Sequence, residues 1–179
     1  MVTISYDGVL QDADLVTGPY ADVAGAPVGH GKIYTTAATG HMRFFRARCD
    51  CCAVDFMAMA PGAYPNPWTL GNCTYQRYKW DGSLATQNDV VTIGASLGLN
   101  CDYTLKVLLA GTAGRVDVTL VHYVTGATVT ALTAGGSVTA SMTVGHGIPQ
   151  TLTLIGSGIY EVDITSPQNE VLMLDFKCQ

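Results

Sequence analysis

A two-residue alternation of apolar and polar side chains, repeated along most of the chain, constrains this sequence more than any other feature. Tyr103-Thr104-Leu105-Lys106-Val107-Leu108-Leu109 sets Tyr103, Leu105, Val107 and Leu109 on one side, because successive side chains of a strand point to opposite faces. The pattern returns in Arg115 to Tyr123, with Val116, Val118 and Leu120 inward. It returns again in Ser137 to Val144, with Val138, Ala140, Met142 and Val144 inward, and in Ile159 to Ile164, with Tyr160, Val162 and Ile164 inward. The last run, Val171 to Cys178, points Leu172, Leu174, Phe176 and Cys178 to the core. Weaker runs are Val2–Tyr6, Lys32–Thr36, Met42–Ala47, Ala53–Met59, Cys73–Trp80 and Val90–Ile93.

Between these runs lie Gly, Asn, Asp and Pro. The strands recur about every 8–14 residues and helical signals are nearly absent, as in sandwiches and barrels. The expected fold is all-β: an antiparallel β-sandwich (jelly roll) with ordered loop insertions. Residues 1–31 read as a strand-and-loop arm and residues 32–179 as the sandwich. Gly111-Thr112-Ala113-Gly114 reads as a turn, and Gly18–Gly31 and Pro61–Gly71 as ordered loops.

Charge narrows the function classes. Only 13% of residues are charged and 48% are hydrophobic, so there is ample apolar surface to offset the entropy of folding. The net charge of −5 argues against nucleic acid, whose phosphates need a basic face. Arg43, Arg46 and Arg48 sit close together and read either as the polar face of one strand or as an anion site. No apolar run is long enough to span a membrane. The first residues carry neither a basic n-region nor a long apolar h-region, so no secretory signal is read there.

Between Asp117 and Glu161 there is no Asp, Glu, Lys or Arg. Exposed sheet surfaces normally carry charges, which discourage association. Thr119, Thr128, Thr130, Thr139 and Thr143 are therefore expected at subunit contacts, unless the stretch is simply a wet threonine-rich surface. Six cysteines, Cys49, Cys51, Cys52, Cys73, Cys101 and Cys178, permit three disulfides, buried thiols, or a zinc site begun by the Cys49–Cys52 cluster. Asp12 and Asp14 resemble half of a calcium loop. No cofactor is expected beyond such a structural Ca or Zn ion.

Gly94-Ala95-Ser96-Leu97-Gly98 matches the G-x-S-x-G nucleophile elbow, with Asp117 and His122 following in triad order. That chemistry needs a helix after the serine, whereas Leu99 to Tyr103 leads towards another strand. No enzymatic activity is expected, and an esterase around Ser96 is the remote alternative. The aromatic residues point to binding instead. Tyr64, Asn66, Trp68, Tyr75 and Arg77 are candidates for a glycan face, since flat rings stack on sugars while amide and guanidinium groups bind hydroxyls. On the competing reading, Tyr78 and Trp80 fill the core and Tyr64 and Trp68 plug a loop.

The run His41 to Ala47, the pair-mate Ala53 to Ala58, the strand ending in Lys79-Trp80-Asp81-Gly82, the segment Asp102 to Val107 and the closing Leu172 to Phe176 together resemble the galactose-binding-like jelly roll. The resemblance covers residues 32–178 and rests on pattern. It implies a carbohydrate-binding or adhesion module of the kind attached to hydrolases or to bacteriophage tails and capsids. The Cys49–Cys52 cluster departs from it. Two functions are therefore expected: a structural or decoration protein on the surface of a virion, packed against copies of itself and released by lysis, or a carbohydrate-binding module for host glycans.

Overall fold

The computed structural model describes residues 1–27, 29–37, 42–48, 53–167 and 170–178, with the side chains of residues 7, 8, 29–31, 47 and 48 set aside. Strand accounts for 65% of the structure and helix for 2%. The only helical turn among the described residues is a 3-10 turn at Phe56–Ala58. The fold is an all-β antiparallel sandwich, as the alternation predicts.

Two compact units divide the chain. One is Met1–Asp50 with Ala110–Thr112, and the other is Cys51–Leu109 with Ala113–Gln179. In the first, the long strand β1 (Val2–Ala13) pairs with β2 (Ala21–Asp22), β3 (Gly29–Thr36) and β4 (Phe44–Arg48). This places β3 and β4 with the N-terminal arm, not with the sandwich, because both ladder onto β1 along its length. Arg43 pairs with Asp12 at 3.0 Å. Arg46 donates to Gln11 and lies 4.1 Å over the Tyr20 ring. These two arginines are thus spent on their own unit, and Asp12 is engaged by a cation.

The second unit is one network of eleven strands: β5 (Ala53–Asp55), β6 (Gly62–Pro65), β7 (Trp68–Leu70), β8 (Cys73–Tyr78), β9 (Gln87–Ile93), β10 (Ser96–Asn100), β11 (Thr104–His122), β12 (Thr128–Thr133), β13 (Gly136–Ser141), β14 (Gln150–Thr165) and β15 (Val171–Cys178). The expected turn at Gly111–Gly114 is not made. β11 runs straight through it, and the register against β14 shifts between Leu108, Ala113 and Arg115. Such irregularities bend a strand and flip its facing parity. Leu105 and Val107 before the bend, and Val116 and Val118 after it, all enter the same core. Through this bend the first half of β11 joins β8 and the end of β14, while its second half joins β15 and the start of β14. Tyr75 of β8 meets Phe176 of β15 edge-on at 6.4 Å across that core.

Two inward assignments are corrected. Tyr160 is 38% exposed and Ile159 is buried in its place: Gly158 has φ +71°, and the ladder shifts beside Ile159. Leu172 and Leu174 are buried, but in a second small cluster with Val121, whereas Val171, Met173 and Phe176 enter the main core. The shift between Thr119 and Leu120 in the β11–β15 ladder turns the strand over there, so β15 is covered on both faces. Strands β2, β6, β7, β10 and β12 were not foreseen.

Candidate functional site

The site grows from a hairpin at the end of β8. Asp81 and Gly82 supply the turn chemistry: Gly82 has φ +78°, which glycine adopts at no steric cost, and its N–H donates to the Lys79 carbonyl at 3.0 Å. The Asp81 carboxylate accepts from the backbone N–H and the hydroxyl of Ser83 at 2.9 and 2.6 Å. Those bonds hold its pKa below the usual carboxylate range, helped by the charge of Lys79. With the turn closed, Trp80 stands on its outer corner and is 78% exposed.

Asn66 clamps the base of this hairpin. Its amide nitrogen donates to the Arg77 and Ala85 carbonyls, both at 2.8 Å, and its oxygen accepts from the Arg77 N–H at 3.2 Å. Buried Asn88 adds bonds to Pro65, Asn66 and Tyr75.

Opposite Trp80 lies Tyr103. It has φ +62°, a left-handed conformation that disfavours a non-glycine residue by about 1–2 kcal/mol. Its carbonyl is held by the Ser166 N–H at 2.8 Å. Beside it, Asp102 accepts from Asn100 at 2.8 Å and from the Glu170 N–H at 3.1 Å. Tyr78, Lys79, Trp80 and Tyr103 line two adjoining hollows of about 190 and 440 Å³. Arg77 and Asp102 border the first, and Thr104, Lys106 and Thr165 the second.

Two of the three cations lining the cleft, Arg77 and Lys106, are ion-paired with carboxylates, and Lys79 acts electrostatically on Asp81. Arg77 pairs with Asp89 at 2.8 Å. Lys106 reaches Glu161 at 2.5 Å and Asp163 at 3.3 Å, and the Glu161 bond raises its pKa. Burial raises the Asp163 pKa, and so does the bond it shares with Glu161, against the pull of Lys106. The cleft is therefore aromatic-walled, hydroxyl-edged and close to neutral.

The residues expected at a glycan face fall elsewhere. Tyr75 is fully buried, in edge contact with Phe56 at 5.5 Å, so no ligand can reach its ring. Asn66 spends its amide on the hairpin. Tyr64 and Trp68 are half-buried and stack on each other at 4.3 Å and 18°, which occupies one face of each ring. Only Arg77 borders the cleft. Trp80, expected in the core, is the exposed indole instead. Its signal was present in the sequence: it immediately precedes Asp81-Gly82, a turn dipeptide.

Ser96 opens β10 after a tight turn and accepts a 2.9 Å bond from the Tyr123 hydroxyl. No helix follows it, Asp117 is bound to Arg115 and Thr153, and His122 contacts the Val144 carbonyl. Both glycines of the motif have packing reasons. A Cβ at Gly94 would lie 2.6 Å from the Tyr123 ring, and one at Gly98 would lie 2.7 Å from the Met173 carbonyl.

Cys73 is disulfide-bonded, and Cys101 and Cys178 are buried thiols. Cys49, Cys51 and Cys52 lie outside the described residues. Among the described residues no group of three or more His, Cys, Asp or Glu side chains is placed to hold a metal, and no helix is long and apolar enough to cross a membrane.

Of the expected contact threonines, four are bonded across strands, Thr119 to Thr151 at 2.9 Å, Thr128 to Ser141 at 3.0 Å and Thr130 to Thr139 at 3.2 Å, while Thr143, beyond the end of β13, accepts from Gln150 at 3.2 Å. No known family model matches this chain, and no curated protein matches it as a relative.

Proposed function

We propose that this chain is a non-catalytic binding module that holds a neutral carbohydrate in the cleft between Trp80 and Tyr103. The observation that carries the reading is Trp80, an indole left 78% exposed on a hairpin that three side-chain bonds from Asn66 hold in place. A large ring held out on a rigid turn, beside a second ring and several hydroxyls, has the form of a sugar-stacking platform. The offset cations favour a neutral sugar over an acidic one. The resemblance to the galactose-binding-like jelly roll supports the same class of ligand through its later strands, since β4 ladders onto β1 and β5 onto β15 and not onto each other. The test is retention on immobilised neutral and acidic glycans. Neutral glycans should retain the protein, and Trp80→Ala should weaken retention about tenfold or more. Equal retention of parent and variant contradicts the reading.

A second reading is a structural protein of a bacteriophage particle surface, present in many copies. The hydroxyl rows on the outer faces of β12 and β13, which carry no charged side chain, favour it. The two readings are compatible, since an adhesion module on a particle is both.

A further inference from the structure

The outermost strand of one sheet is β13, which pairs with β12 on one side and with no described strand on the other. Its sequence, Gly-Ser-Val-Thr-Ala-Ser, contains no charge and no proline, and its ladder with β12 runs without a bulge. Those are the devices by which natural sheets protect an edge, and this edge lacks all three. Ser137, Thr139 and Ser141 are exposed along it.

The direction of the free backbone groups follows from the hairpin. A two-residue loop, Ala134-Gly135, joins Thr133 to Gly136, so that pair exchanges the first ladder bonds and alternate pairs follow. Gly136, Val138 and Ala140 therefore bond to β12, and Ser137, Thr139 and Ser141 aim their N–H and C=O groups outward. The side chains agree: Thr130 with Thr139, and Thr128 with Ser141, lie within hydroxyl bonding distance, as expected of the closer, non-bonded pairs.

We propose that β13 is where two copies of this chain join, edge to edge, in one antiparallel sheet about a two-fold axis. A second β13 matches the first in every respect that an edge requires. With Thr139 opposite Thr139, Ser137 faces Ser141 and the outer hydroxyl row continues from copy to copy. Val138 then faces Ala140 on the inner side, where both are only half-buried at the rim of the core. Each chain has a net charge of −5, and an uncharged edge lets two such chains meet without like charges at the seam. The joint is isologous, so it closes as a dimer and does not run on as a fibre. It is independent of what the Trp80 cleft binds.

The test combines sedimentation with amide hydrogen exchange on the intact protein. The parent should dimerise, and the Ser137, Thr139 and Ser141 amides should gain protection with concentration. Thr139→Pro removes one outward N–H and the hydroxyl contact to Thr130 but no backbone bond to β12, and Thr139→Val, which loses the hydroxyl alone, should dimerise like the parent. The proline variant should weaken dimerisation by about tenfold or more while circular dichroism and glycan retention stay at parent values. A parent that remains monomeric overturns the proposal, and so does a dimer whose three edge amides exchange no more slowly than in the monomer. Retention of glycan by a strictly monomeric parent would sink this contact and leave the cleft reading standing.

Discussion

An indole mostly exposed to water leaves apolar surface that a ligand can cover, and the two tryptophans of this chain divide on that point. Trp68 packs on Tyr64, Phe56 and Tyr75, so Trp68→Ala should lower stability by about 2–4 kcal/mol, read by denaturant unfolding. Trp80→Ala should change stability by no more than about 0.5 kcal/mol in the same experiment. The Asp81-Gly82 dipeptide after Trp80 hinted at an exposed turn, whereas nothing local to Trp68 showed that it packs. What separates them is that the Pro61–Gly71 segment forms strands β6 and β7 and folds Trp68 onto Phe56, a long-range contact that no local pattern displays. Asp163 supplies a pH dependence at the same scale. A carboxyl whose folded pKa is raised is stabilised by its proton. The contribution is full below the unfolded pKa and lost as pH rises through the folded one. Asp163→Asn mimics the protonated side chain, so the variant should gain stability over the parent at neutral pH. That gain should vanish as pH falls below the ordinary carboxylate range. A gap that widens in acid would contradict the assignment.

At the scale of elements, alternation made most strands visible, but it conceals where a strand changes face. Strand β15 reads as a one-sided strand in sequence, yet its buried run Val171–Leu174 serves two clusters. Leu174→Ala should therefore destabilise by about 2–5 kcal/mol, although it lies off the main core; thermal unfolding would show it. Bulges defeat pattern reading because one extra residue reverses parity while leaving composition unchanged, which is why Tyr160 was expected inside and Ile159 was not. Strand β10 was hidden for a related reason: Gly98 within it, needed against Met173, and Gly94 just before it, needed under Tyr123, look like loop residues. Ser96 belongs to that packing. Ser96→Ala should leave any hydrolysis of a generic acyl ester at the level of the parent, measured against a buffer blank, and a drop in the variant would reopen the catalytic reading.

Taken as a whole, the molecule is a β framework whose aromatic cleft was partly legible in the sequence. The all-β fold follows from the period of the side chains, and the threonines at 119, 128, 130, 139 and 143 lie in strands or at their ends. The rings of Tyr64 and Trp68 lie stacked on each other, while the indole beside the Asp81-Gly82 turn is exposed. With only two tryptophans in the chain, the central claim has a direct readout: the two indole N–H resonances, followed while the protein is titrated with a panel of neutral oligosaccharides. The account predicts that the Trp80 resonance moves in a saturable way with one class of neutral sugar while the Trp68 resonance stays in place. Movement of the Trp68 resonance instead, or a Trp80 resonance indifferent to every neutral sugar in the panel, would contradict it.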